Sequence, residues 1–262
     1  MYINKNVLIS GGSSGIGLAL AKQLFSLGSS VMIIARRKDI LDKAKTEIEK
    51  ERINSSQTVK SISADVSKYS DLKSALEKKR PVVDILINSA GIAYPGKFME
   101  LEPDIFYNVM SVNYYGTVNL TKLIVPEMVE NRSGFIVNIS SLAAVIGIYG
   151  YTAYAPSKYA VRGFSRCLRA ELKSKGIDVS VVLPPDTDTP QLAFEHTLLP
   201  VITQQINKKG SVMTPEKVAD SILKGMKRKK FTIIPGLEGK ILYLFAPIFG
   251  RYFYHFAVKR EK

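Results

Sequence analysis

Short apolar runs rich in β-branched residues recur along the chain: NVLIS (6–10), VMIIA (31–35), VKSISA (59–64), VDILIN (83–88), FIVNIS (135–140), DVSVVL (178–183) and FTIIP (231–235). Between them the apolar spacing changes to the helical period, predicting helices over 15–28, 38–52, 70–79, 104–131, 152–175 and 215–229. The last opens on TPEK, with Thr214 placed to cap and Pro215 at the first helical position. Continuous apolar strands separated by helices mean a parallel sheet covered on both faces. The pattern therefore predicts an α/β fold, a doubly wound parallel sheet of about seven strands in a single domain over 1–238. A hydrophobic and basic C-terminal segment follows at 239–262.

Composition narrows the classes without changing that picture. A chain of 262 residues, 46% hydrophobic, carries a full core and no low-complexity tract. Cys167 is the sole cysteine, which removes intramolecular disulfides and cysteine-based zinc sites and suggests a reducing compartment. His196 and His255 stand far apart, so no metal is expected. The opening MYINKNVLIS passes straight into a strand, predicting no secretory leader. The net charge of +14 raises the question of nucleic acid. Its lysines and arginines are scattered over helical faces or gathered at KGMKRKK (224–230), with no recognition motif or base-stacking aromatic ladder. An anionic phosphate ligand or a membrane surface fits the charge better.

The first strand ends in SGGSSGIG (10–17) and opens the first helix. Gly11, Gly15 and Gly17, with Ser13, Ser14 and Ile16 among them, let the backbone turn tightly and bring free N–H groups to a pyrophosphate. A bare glycine turn would also satisfy the geometry; its position between strand and helix favours a dinucleotide cradle and makes the sheet Rossmann-type. At the end of the second strand stand Arg36 and Arg37 rather than a carboxylate for a ribose hydroxyl. Guanidinium groups suit a 2′-phosphate, so NADPH is the expected cofactor, with Asp39 leaving NAD as the alternative.

Ligands of open parallel sheets bind at the carboxyl ends of the strands. There Ser141 closes the fifth strand, and YAPSK places Tyr154 and Lys158 at i and i+4 on one helix face. An ammonium beside a phenol favours the phenolate, so Tyr154 would exchange a proton with a carbonyl or alcohol oxygen near neutral pH, with Ser141 bonding the same oxygen. The spacing occurs twice: Ser56, Tyr69 and Lys73 repeat it, but Ser56 sits in the polar segment INSSQ and not at a strand end. Tyr69 and Lys73 therefore read as ordinary helix-surface residues. The prolines of LPPDTDTP (183–190) flank Asp186 and Asp188, read as loop-shaping residues bonding the local backbone rather than as catalytic carboxylates.

Taken together, SGGSSGIG, ADV (64–66), NSAG (88–91), SVNYYG (111–116), NISS (138–141) and YAPSK (154–158) resemble the short-chain dehydrogenase/reductase family across residues 4–235. That resemblance implies Tyr154 as acid/base, Lys158 as its modulator and a ribose ligand, and Ser141 as carbonyl polariser. It also implies that Asn113 holds a water for proton relay, that Asp65 and Val66 touch the adenine, and that Asn88 and Gly91 line the cofactor. Thr189 would bond the carboxamide. The sequence departs from the family pattern at Ser89, where a second Asn is usual, and at Pro185, where Gly is usual.

Within the family, PPDTDTP with GGSSGIG and TAYAPSK resembles the members that reduce a long-chain 3-keto amine. Reductases of other lipid-like ketones, a steroid or a 3-oxoacyl group, remain the alternative, and a non-catalytic NADPH-binding protein the third reading. The tail ILYLFAPIFGRYFYHFAV (241–258) is interrupted by Pro247, Gly250, Arg251 and His255 and followed by Lys259 and Arg260. It predicts an interfacial anchor on the cytosolic face of a membrane more than a span, with packing on the core or on a second copy in a dimer or tetramer as the alternative.

Overall fold

Among the described residues of the computed structural model (1–79, 82–201, 203–204 and 211–246), seven strands form where the apolar runs lie. They are β1 (Asn6–Ser10), β2 (Ser30–Ala35), β3 (Val59–Ser63), β4 (Ile85–Asn88), β5 (Gly134–Ile139), β6 (Ile177–Val182) and β7 (Thr232–Ile233). All pair in parallel in the order β3-β2-β1-β4-β5-β6-β7. The order reverses between β1 and β4, and a crevice opens at the carboxyl ends of the strands on either side of such a point.

The helices before the C-terminal segment include α1 (Gly15–Ser26), α2 (Lys38–Glu49), α3 (Tyr69–Lys79), α4 (Pro103–Met110), α5 (Gly116–Glu130), α6 (Tyr154–Leu172), α7 (Pro190–His196) and α8 (Pro215–Lys227). Successive strand residues serve opposite faces. Val7 and Ile9 of β1, Val31 and Ile33 of β2 pack with α1, α2 and α8, while Leu8, Met32 and Ile34 pack with α3, α5 and α6. That double burial is why β1 and β2 read as continuously apolar, whereas the edge strand β3 exposes Lys60 and Ser63 between buried Val59 and Ile62. The Thr214 hydroxyl accepts from the Lys217 N–H, capping α8 as its sequence predicts.

Two differences bear on the site. The expected helix over 104–131 is broken by a π-helical turn, Ser111–Tyr115, that carries Asn113. A Cβ on Gly116 would lie 2.6 Å from Val66 Cγ2, so the glycine lets the helix press on the loop after β3 at the end of that turn. The second is α7, which no sequence periodicity signalled. It starts at Pro190, and the Thr189 hydroxyl accepts from the Leu192 N–H.

The expected C-terminal segment begins as helix over 237–246. Tyr243 packs its ring 5.1 Å from the Arg162 guanidinium, and a Cβ on Gly239 would lie 3.0 Å from Leu142. Among the described residues no helix is long and apolar enough to cross a membrane. Pro247, Gly250, Arg251, His255, Lys259 and Arg260 lie outside the described residues.

Candidate active site

The carboxyl ends of β1, β2, β4, β5 and β6 open into a cavity of about 920 Å³. One wall is the glycine turn after β1. Gly11 and Gly15 have φ of +68° and +52°, and a Cβ on Gly11 would meet Ala90 at 2.8 Å, so the turn needs both the conformation and the close approach. The Gly11 N–H is tied to the Ile34 carbonyl at 2.8 Å, which fixes the turn to the end of β2. Ser14, the residue before α1, makes no side-chain cap, and the first turn of α1 carries no acid. The N–H groups and the positive end of this helix therefore face the cavity uncompensated, an arrangement that fits a pyrophosphate.

Arg36 and Arg37 lie on the same wall, whereas Asp39 is exposed in the first turn of α2 and does not line the cavity. The residues present thus fit a 2′-phosphate better than a free ribose hydroxyl. Of the remaining candidates, Gly11, Ser14, Gly15, Ile16, Gly91 and Thr189 line the cavity, and Ser13, Gly17, Asp65, Val66, Asn88 and Asn113 lie outside its lining. Gly17 serves from behind, since a Cβ there would lie 2.3 Å from the Gly11 carbonyl oxygen. Val66 is buried, and Asp65 accepts from the Ser67 N–H and hydroxyl. Asn88 braces the sheet, donating to Asn138 Oδ1 at 2.8 Å and to Thr121 Oγ1 at 3.1 Å.

The opposite wall holds the expected chemistry. Tyr154 and Lys158, on the first turns of α6, are buried at 9% and 5% exposure. Lys158 Nζ stands 5.6 Å from the centre of the Tyr154 ring and donates to the Ile139 carbonyl at 3.1 Å. Ser141 Oγ accepts from the Ala143 N–H at 3.1 Å and hydrogen-bonds the Tyr154 phenol. Tyr69 is by contrast 44% exposed, and Lys73 pairs with Glu77 at 3.8 Å on the surface of α3, as expected for the decoy pair.

Asn113 is buried behind the cavity, where its side chain plays a bracing part. Its amide accepts from the Ile92 N–H at 2.8 Å and donates to the Ile92 carbonyl and to Ser157 Oγ, each at 2.9 Å. Ser157 in turn donates to the Tyr154 carbonyl at 2.6 Å. The side chain is thus committed to clamping the chain after β4 to the first turn of α6. Asp186 and Asp188 act differently from the reading of their sequence. The loop is held by backbone pairing, Met213 N–H to Asp186 O and Asp188 N–H to Met213 O, each at 2.9 Å. Asp186 is exposed as a residue and lines the cavity, where burial raises its carboxyl above the usual value and the charge of His196 opposes the rise.

The electrostatics correct one further expectation. Burial pushes the Tyr154 phenol above its usual value, Glu195 and Asp186 push the same way, and hydrogen bonds with Ser141 and Gln191 pull it partly back. Desolvation thus outweighs any lowering by Lys158, and burial lowers Lys158 itself to about 8 against the opposing charge of Glu195. A phenol held protonated at neutral pH is a proton donor, the form that reduction of a carbonyl requires.

Three further residues shape this wall. The Tyr151 hydroxyl donates to Glu195 Oε2 at 2.7 Å, Gln191 Nε2 donates to Glu195 Oε1 at 2.8 Å, and the Tyr151 and Tyr154 rings lie 5.7 Å apart. Their one sequence signal is the i, i+4 spacing of Gln191 and Glu195, on a helix too short to show a period.

The short chain dehydrogenase family matches residues 5–197. A 3-dehydrosphinganine reductase of Danio rerio is 42% identical over 241 residues, which cover 90% of this chain and 73% of the relative. A 3-ketodihydrosphingosine reductase of Bos taurus is 42% identical over 242 residues, with the same shares covered. Among solved structures, a short-chain dehydrogenase from Sphingobium yanoikuyae in complex with NADPH superposes with a TM-score of 0.79 at 27% identity, covering 98% of this chain and 96% of that one. With its glycine turn, serine, tyrosine and lysine gathered round one cavity and the family matched over most of its length, the chain belongs to the short-chain dehydrogenases.

Proposed function

We propose that the chain is an NADPH-dependent reductase of 3-ketodihydrosphingosine, forming dihydrosphingosine in sphingolipid biosynthesis. The observation that carries this reading is the cavity itself, with Tyr154, Ser141 and Lys158 on one wall and the glycine turn, Arg36 and Arg37 on the other. The relatives bearing that activity in their names, similar over 90% of the chain, support the choice of substrate.

Gly11, Ser14, Gly15 and Ile16 would hold the pyrophosphate, Arg36 and Arg37 the 2′-phosphate, and Gly91, Lys158 and Thr189 the nicotinamide end. When bound, NADPH supplies a hydride to the carbonyl carbon. Tyr154 delivers its phenolic proton to the carbonyl oxygen as the C=O π bond becomes an O–H bond, and Ser141 donates a hydrogen bond to the same oxygen. The positive charge of Lys158 opposes the negative charge left on Tyr154. Asn113 acts by position, holding Ile92 and Ser157 so that Tyr154 faces the substrate. The sensor reading loses support from this complete set of proton-transfer groups.

We also place the protein at the cytosolic face of a membrane, held peripherally or monotopically. Leu237, Ile241 and Leu244 are exposed along the helical residues 237–246, near the basic run KRKK at 227–230. A long-chain ketone dissolves in the bilayer, so a reductase seated there meets it directly. An NADPH-oxidation assay across 3-ketodihydrosphingosine, a steroid ketone and a 3-oxoacyl thioester tests the function. The keto amine should show the highest kcat/KM; a higher value for either competitor contradicts the reading.

A further inference from the structure

One buried carboxyl in the cavity has no part in the chemistry just described. Glu195 is only 6% exposed and lines the cavity together with Tyr151, Tyr154 and Lys158. The Tyr151 hydroxyl and the Gln191 amide donate to it, one to each oxygen, at 2.7 and 2.8 Å. These bonds fix its orientation and leave further acceptor positions on both oxygens. Among the described residues no Lys, Arg or His lies within ion-pair distance of it. Burial raises the Glu195 carboxyl above its usual value, and the Lys158 charge, beyond ion-pair distance, offsets this only in part, so a cationic ligand in contact with it would stabilise its ionised form.

The position of that carboxyl gives the inference its chemistry. The Tyr151 ring, whose hydroxyl bonds Glu195, lies 5.7 Å from the ring of Tyr154, the proton donor to the ketone. A cation bound to Glu195 would therefore sit within a few atoms of the carbonyl being reduced. The substrate proposed above carries its amine on the carbon next to the ketone. Asp186, at the rim of the same cavity, adds negative charge on the approach. Apolar Ile148, Leu192, Phe194 and Leu242 line the remainder and suit an alkyl chain. A steroid ketone or a 3-oxoacyl thioester would bring no positive charge and would bury the carboxylate unpaired.

We propose that Glu195 binds the ammonium group of the substrate and selects a 2-amino ketone over ketones lacking that charge. The inference rests on the substrate reading above and makes Glu195 a specificity-determining residue in addition to the proton-transfer set.

The test compares kcat/KM for 3-ketodihydrosphingosine and for its deamino analogue, of equal chain length, in full-length protein with NADPH. The unmodified protein should prefer the amine by about tenfold or more, the range expected of a hydrogen bond to a charged partner. In Glu195→Gln that ratio should shrink by about 10- to 100-fold, chiefly through KM, while NADPH binding followed by fluorescence persists. The comparison in unmodified protein stands even where the variant fails to fold. Equal kcat/KM for the two ketones in unmodified protein, or an equal loss for both in the variant, overturns the inference and leaves the reductase reading intact. Reduction of neither ketone beside turnover of a steroid or 3-oxoacyl substrate overturns both.

Discussion

Lys158 Nζ lies 5.6 Å from the centre of the Tyr154 ring, both side chains are buried, and the ammonium donates to the Ile139 carbonyl rather than to any carboxylate. Burial without an ion pair lowers Lys158 from its ordinary value of 10.5 to about 8. Between those values the unfolded chain holds a proton that the folded chain has released, so this site's contribution to stability rises as pH climbs from about 8 to 10.5 and is flat below. The difference in unfolding free energy between the unmodified protein and Lys158→Met, measured in denaturant across that range, should therefore grow in favour of the unmodified protein. A difference independent of pH contradicts the shift. Removing the charge should also lower turnover at neutral pH.

The cofactor wall makes a second prediction. Changing Arg36 and Arg37 together to Ala should weaken NADPH by about 10- to 100-fold while NADH changes little, since a hydrogen bond to a charged group contributes about 1.5–3 kcal/mol. Titration of both nucleotides by fluorescence reads the ratio. An equal loss for the two removes the assignment of the arginines to the 2′-phosphate.

Gly15 and Gly163 form a matched pair. A Cβ on Gly15 would lie 2.9 Å from Thr189 Cγ2 at a φ of +52°, whereas one on Gly163 would meet nothing within 4 Å. Gly15→Ala should destabilise the fold by about 1–2 kcal/mol through its left-handed backbone and weaken NADPH about tenfold or more. Gly163→Ala, in the interior of α6, should stabilise by up to about 1 kcal/mol. Thermal melts with and without NADPH separate the two, and similar effects from both substitutions contradict the geometry.

The strands were legible in the sequence because burial on both faces makes them continuously apolar: Leu8 and Ile9 are both fully buried yet serve opposite sides of β1. Tyr154 and Lys158 were legible because i, i+4 spacing on a long helix fixes a shared face. Glu195 was not, because α7 is set by its Thr189 cap and Pro190 rather than by a period, and its partner Tyr151 comes from the loop before α6. The π-helical turn at Asn113 escaped for a related reason: it interrupts an apolar period that runs through it, and it ends where Gly116 meets Val66, a contact between segments far apart in sequence. The direction of the Tyr154 shift needed burial, which spacing does not report.

The tail yields a prediction that spares the cavity. Leu242 lines the cavity and Tyr243 packs on Arg162, so truncation after residue 246 keeps both. Loss of 247–262, which includes Lys259 and Arg260, should release the protein from anionic vesicles and lower activity on a bilayer-delivered ketone more than on a short soluble analogue. Vesicle flotation and paired assays report it. Equal loss on both ketones, with a lowered Tm, would assign the segment to packing instead.

The account stands most directly on one measurement: the appearance of dihydrosphingosine, identified by mass spectrometry, when the purified protein meets 3-ketodihydrosphingosine and NADPH, beside the same reaction with Tyr154→Phe. That variant keeps the ring and loses the transferable proton. The account predicts stoichiometric product and NADPH consumption by the unmodified protein, and a rate lower by about a hundredfold or more in the variant with NADPH affinity retained. Failure of the unmodified protein to form dihydrosphingosine, or a variant that forms it at the unmodified rate, would contradict it.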